Sequence, residues 1–332
     1  MEPAEIAGRR LGLVTRRLRA GNRSGSGHRA YFKRALESRG FVVSELADGE
    51  IQAGANDVLW IQGNINWYPR TRESLVALSS AKRPFVIAWH TEPLPLPRAS
   101  GIRPPLPNLR ELAKIITRDQ RATDVRTNAR RLRQMKREGI PDLLIVSTAS
   151  RQIFLAEHGI ESHFVPIGYN PTFGRDLGLE RDIDALFVGV MTDPRHRRAA
   201  RSLRKRGIAL VAEGAWTGAG GLWGDRRLET INRARTFLGF QRNPGELSGM
   251  RMILGMACGA LVISEPIVSP EPYIPGIHYV SVALGDMPDA IRYYLDNDAE
   301  RTRIAGAGHR FVTTHLTTER SVKQILDLAG VT

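Results

Sequence analysis

The run from Glu246 to Glu265, ELSGMRMILGMACGALVISE, constrains the fold more than any other part of this chain. Met250, Ile253, Leu254 and Ala257 recur at helical spacing, Cys258-Gly259 breaks the helix, and Ala260, Leu261, Val262 and Ile263 form a continuous apolar strand. A strand apolar on both faces belongs in a parallel sheet that is covered on both sides. Packing accounts for most of these residues, but not for Glu246, Ser248, Gly249 and Arg251, which gather at the helix start. Backbone amides there, uncrowded by side chains, suit an anion such as a nucleotide diphosphate.

The remainder of the chain alternates in the same way. Strand candidates at 11–14, 41–43, 58–61, 83–89 and 142–147 are separated by helical or loop sequence. A second series at 184–189, 208–214 and 236–240 leads into the Glu246 run. Alternating strands and helices predict an α/β protein whose parallel sheets carry helices on both faces. A length of 332 residues suits two domains. We expect an N-terminal Rossmann-like domain over 1–172, a C-terminal Rossmann-like domain over 173–316, and a terminal amphipathic helix within 317–332, spaced for packing by Val322, Ile325, Leu326 and Leu328.

Ligands of such sheets lie beyond the carboxyl ends of the strands. His90 and Glu92 follow the strand expected to end at Trp89. His90 is a candidate general base near neutral pH, with Glu92 orienting it or sharing a proton; the competing reading makes both loop residues bonded to backbone. Residues 21–27, with Gly25, Ser26 and Gly27, read as a flexible loop before a helix starting near His28. Their spacing misses the dinucleotide fingerprint, and the P-loop lysine is absent. Pro93 to Pro107 contains six prolines and predicts a stiff loop or lid.

Charge and cysteine usage narrow the function classes. The formal net charge is +14. That balance fits a solvated basic surface, attraction of anionic substrates, or peripheral contact with an anionic membrane surface. Arg126, Arg130, Arg131, Arg133, Lys136 and Arg137 make one cationic region within a polar stretch, 108–138, that reads as poor in large apolar side chains. With no zinc-finger spacing and no RNA-recognition aromatic motif, nucleic acid is not an expected partner. The single cysteine, Cys258, excludes an intrachain disulfide and a multi-thiolate zinc site, and its apolar setting marks a core thiol. No apolar run approaches a membrane-spanning length, and the arginine-rich start does not resemble a secretory signal, so a cytoplasmic location is expected.

The Glu246 run resembles the donor-site helix of GT-B glycosyltransferases of the group 1 type. These carry an acid, seven residues, a second acid and a tail like A-M-A-C-G-x-x-V-I. Glu246 matches the first acid, Leu254 stands where the second would be, and Met256 to Ile263 match the tail. The resemblance is closest to the branch of spore-maturation-type glycosyltransferases, in which an arginine precedes the helix, matched here by Arg251. It implies two Rossmann-like domains facing a central cleft, and a nucleoside diphosphate sugar as donor with no further cofactor. By the same resemblance Glu246 meets the transferred sugar's hydroxyls, and Gly189, Ser248, Gly249, Met250 and Arg251 border the donor. Arg195, Arg197 or Arg198 would neutralise the diphosphate, and the sequence does not choose among them. Gly214 and Trp216 would border the nucleobase, although buried packing competes for Trp216. Glu271 matches an acid that relatives often hold before a glycine and short strand, and Gly25 to Gly27 fall on the acceptor side. Because no Asp-x-Asp pair stands in a convincing loop, transfer is expected to be metal-independent. Leu254 motivates a second reading, a GT-B protein that binds a sugar nucleotide or anionic glycan with weak turnover or none. A basic nucleic-acid binder is the third. The acceptor is open.

Overall fold

The computed structural model describes all residues except 1–7, 16–23, 65–66, 104–105, 108, 118–123, 190, 192–193, 215–221, 223 and 332. The chain divides into two units, Met1–Ile167 with Thr318–Thr332, and Gly168–Thr317.

The first unit opens with β1 (Arg10–Val14), α1 (Ser24–Glu37), β2 (Val42–Leu46), β3 (Val58–Gln62), α2 (Pro69–Ala77) and β4 (Phe85–His90). It continues through α3 (Leu109–Ile116), α4 (Val125–Arg137), β5 (Leu143–Val146), α5 (Ala149–Ala156) and β6 (His163–Phe164). Its six strands are all parallel, in the order β2-β1-β3-β4-β5-β6. Central strands such as β5, buried throughout, are apolar on both faces because helices cover both sides.

Two local expectations change here. Helix α1 begins at Ser24, so Gly25, Ser26 and Gly27 lie in its first turn and not in a loop. Its later turns bury Phe32, Ala35 and Leu36 in the core, and that packing extends the helix through glycines of poor intrinsic propensity. Strand β4 runs one residue further than Trp89 and ends on His90, paired with Val146. The polar stretch 108–138 contains α3 and α4, in keeping with its helix-forming residues; Asp124 caps α4, accepting from the amides of Arg126 at 2.9 Å and Thr127 at 3.2 Å.

The second unit holds β7 (Ile183–Val188), α6 (Pro194–Lys205), β8 (Leu210–Glu213), α7 (Gly224–Asn232), β9 (Ala234–Gly239), α8 (Gly249–Ala257) and β10 (Leu261–Ser264). Then follow β11 (Val280–Ser281), α9 (Met287–Asp296) and α10 (Asp298–Arg310). These five strands are also parallel, in the order β11-β10-β9-β7-β8. On α8 the buried face is Met252, Ile253, Met256 and Ala257, whereas Met250 and Leu254 are half-buried. The helix is packed from two sides, since His309 of α10 lies 3.2 Å from the Met256 carbonyl oxygen.

The last helix, α11 (Thr318–Ala329), belongs to the first unit. Val322, Ile325 and Leu326 are buried in one cluster with Leu11, Phe32 and Trp60, and Ser321 Oγ donates to the Pro166 carbonyl at 2.9 Å. Among the described residues no helix is long and apolar enough to cross a membrane.

Candidate functional site

Strand β7 is the first of its sheet, and the chain leaves it for β8 on one side and β9 on the other. Open α/β sheets bind ligands at the carboxyl ends of strands where the order reverses in this way. At that end stand Phe187 and Gly189 of β7 and its turn, Phe240 and Gln241 after β9, and Glu265 after β10. The start of α8 reaches the same end of the sheet through Arg251. Its Nη1 donates to the Phe240 carbonyl oxygen at 2.7 Å, and its guanidinium carbon lies 5.2 Å from the centroid of the Phe187 ring. Burial lowers the Arg251 pKa to about 10, opposed by the nearby Glu246 carboxylate. The group is charged at neutral pH and half-buried, a state in which an anion is attracted more strongly than at the surface. Arg251 is the third residue of α8, so it lies within the helix and does not precede it.

Glu246 is fixed by its own turn. Its amide donates to the Asn243 carbonyl at 3.1 Å, and its Oε2 accepts from Asn243 Nδ2 at 2.7 Å. The turn is anchored by Gln241, whose Oε1 accepts from the Gly245 amide at 2.6 Å and whose Nε2 donates to the carbonyls of Glu265 and Pro266 at 3.1 and 2.9 Å. Glu265, 5% exposed, returns the bond by accepting from the Gln241 amide at 2.9 Å. Its second oxygen forms an ion pair with Arg195, whose Nε also donates to the Gln241 carbonyl at 3.1 Å. One buried glutamine therefore ties together the Glu246 turn, the end of β10 and the first turn of α6.

Ser248 precedes α8 without a side-chain capping bond, and its carbonyl accepts from the amides of Arg251 and Met252. A Cβ placed on Gly249 would meet nothing within 4 Å, so the space before the helix start is open. Packing therefore does not require a glycine there. Gly189 and Gly214 lie against each other: the Gly189 amide donates to the Glu213 carbonyl at 3.0 Å, and a Cβ on Gly214, with φ +140°, would stand 2.8 Å from the Gly189 oxygen. Gly214 must be glycine for the ends of β7 and β8 to lie side by side, and a Cβ on Gly189 would meet the Phe187 ring.

The geometry separates the remaining sequence candidates. Arg195 points inward to Glu265, while Arg197 and Arg198 are exposed on α6. Glu271 is exposed; together with burial its charge raises the Tyr279 pKa to about 12, and no hydrogen bond or ion pair joins it to Glu246, Arg195 or Arg251. Trp216 lies outside the described residues. Gln241, Glu265 and Phe187 were not among the sequence candidates; the signal for Glu265 was an acid at the carboxyl end of a mainly apolar strand, one residue past Ser264. The sequence pair Asp182-Ile183-Asp184 sits at the amino end of β7, away from the site, paired with Arg233 and Arg235. Among the described residues no three His, Cys, Asp or Glu side chains group as metal ligands.

In the first unit, His90 ends β4 with 0% exposure. Burial and the charge of Arg151 lower its pKa to about 3, with the Glu92 backbone a smaller opposing influence. The expectation of a loop histidine is therefore corrected: the ring is at the buried end of a strand, where burial favours its neutral form. Arg151, 6% exposed in the first turn of α5, donates through Nη1 to Ser147 Oγ at 2.6 Å. Glu92 is half-buried in the segment after β4.

Residues 195–327 match the Glyco_trans_1_2 family model, described as glycosyl transferase-like. None of the curated protein sequences compared with the chain matches it. Among solved structures, sucrose-phosphate synthase from Thermosynechococcus elongatus is 14% identical with a TM-score of 0.63, over 97% of this chain and 98% of that one. HepE from Anabaena, in complex with UDP and glucose, is 10% identical with a TM-score of 0.62, over 98% and 100%. TarM is 11% identical with a TM-score of 0.55 over 82% of this chain, which spans 54% of TarM. The chain thus has the fold of the GT-B glycosyltransferases, and its residues 195–327 match the glycosyl transferase-like family.

Proposed function

We propose that this chain is a metal-independent glycosyltransferase of the cytoplasm that takes a sugar from a nucleoside diphosphate donor held on the second unit. The observation that carries the reading is the partly desolvated Arg251 guanidinium near Glu246, at the carboxyl ends of β7 and β9 and in the first turn of α8, whose start is open. Arg251, Arg195 and the first amides of α8 receive the diphosphate, and the Glu246 carboxylate accepts from the sugar hydroxyls. HepE, which shares the fold, is seen with UDP-glucose, and a nucleotide sugar is the donor class taken here.

The reaction breaks the bond between the anomeric carbon and the diphosphate oxygen and forms one to an acceptor hydroxyl oxygen. The hydroxyl proton leaves with the diphosphate. Such a transfer needs positioning and charge stabilisation more than covalent help. Arginines that meet charge developing on the leaving group supply that stabilisation without a metal.

The test is release of nucleoside diphosphate from a panel of sugar nucleotides and acceptors, in the presence of EDTA, by the native protein and by Glu246→Gln. Release by the native protein with about a hundredfold loss in the variant supports the assignment. Wild-type turnover in Glu246→Gln removes Glu246 from the reaction. Half-buried Leu254 in place of a second carboxylate favours the alternative, a sugar-nucleotide-binding protein without turnover. Tight binding with no release under any pairing would establish it.

A further inference from the structure

Helix α3 is built inside out. Leu109, Leu112 and Ile116, at spacings of three and four, share one face, and that face is turned to solvent with exposures of 87%, 41% and 71%. Leu106, just before the helix, is 83% exposed. The opposite face carries Glu111 and Lys114, ion-paired at 2.7 Å, with side chains 20% and 24% exposed. A helix that served only the core of its own unit would show the reverse arrangement. Four large apolar side chains in one short segment also exceed the scattered apolar exposure that needs no explanation.

The charge that follows identifies the occupant. Helix α4 contains no acidic residue, and Arg126, Arg130, Arg133, Lys136 and Arg137 are all exposed on it. Ile116 and Val125 are nine residues apart, a chain length that reaches at most about 30 Å. An apolar stripe followed closely by a cationic surface matches the chemistry of a lipid bilayer with anionic headgroups, where apolar side chains enter the interface and arginines meet phosphates. We propose that α3 and α4 form a membrane-docking face that inserts Leu106, Leu109, Leu112 and Ile116 into the surface of an anionic membrane. This places the first unit at a lipid surface independently of which sugar the second unit handles.

Co-sedimentation of the full chain with vesicles of phosphatidylcholine containing about one-third phosphatidylglycerol tests the proposal. Binding should exceed that to pure phosphatidylcholine by about tenfold and weaken as salt rises. Combined Leu109→Glu and Ile116→Glu should reduce it about tenfold or more, and Arg130→Glu with Arg137→Glu should do the same. All four positions are exposed, so both variants should keep the native melting temperature and nucleoside diphosphate affinity. Absence of vesicle binding at low salt overturns the proposal, as does binding undiminished by the Leu109 and Ile116 changes. Self-association abolished by those changes, without vesicle binding, would show instead that a second copy covers the face.

Discussion

The guanidinium of Arg251 lies 5.2 Å from the centre of the Phe187 ring and donates to the Phe240 carbonyl, so one cation bridges the ends of β7 and β9. A planar, stacked guanidinium is not replaced by a lysine. Arg251→Lys should weaken nucleoside diphosphate binding by about tenfold or more, read by titration calorimetry, while the far-ultraviolet spectrum is retained. Unchanged affinity would remove Arg251 from the diphosphate site.

Glu265 connects Arg195 to the Glu246 turn through Gln241. Because the carboxylate is buried, Glu265→Ala leaves the Gln241 amide without its acceptor and Arg195 without its partner, at a cost on the order of 3 kcal/mol. Glu265→Gln keeps one acceptor oxygen and should recover part of that loss in denaturant unfolding. Equal stability of the two variants would mean that the bond to the Gln241 amide contributes little.

Acid should weaken the first unit before it protonates most carboxylates. His90 and His28 have folded pKa values lowered by burial to about 3 and about 4. Since both lie below the unfolded value, the unfolded chain binds more protons, and the stability these groups contribute is complete above about pH 6.5. It should fall as pH drops through the window to about 3, by on the order of 4 kcal/mol for the larger shift. His90→Gln should flatten the dependence of unfolding free energy on pH between 6 and 4 relative to the native chain; an unchanged slope would refute the assignment to His90.

Helix α11 contributes to the core of the first unit, with Ile325 wholly buried in it. Ile325→Ala should lower stability by about 2–5 kcal/mol, whereas Leu328→Ala, at a position 39% exposed, should cost about 1 kcal/mol or less. Thermal unfolding of the two variants separates buried from covering positions.

Much of the fold was legible because it rests on local periodicity. The amphipathic spacing at 318–329 coincides with α11, and the continuous apolar run 260–263 overlaps β10. The helix start at Ser248 and Gly249 was visible as a group of polar and small residues that packing did not require. His90 was misread because one further pairing, with Val146, carries β4 a residue beyond its apolar run. The α1 boundary was misread because Phe32 and Leu36 hold the helix in the core despite its glycines.

Sequence alone determined the alternation of strands and helices, the parallel sheets and the start of α8, since each is written in neighbouring residues. Tertiary structure alone decided that Arg195 turns inward while Arg197 and Arg198 face solvent, because its partner Glu265 comes from a strand 70 residues away. It likewise decided that Gln241 joins three segments and that α3 turns its leucines outward. Spacing records which residues share a face, but only the packing of distant elements determines what that face meets.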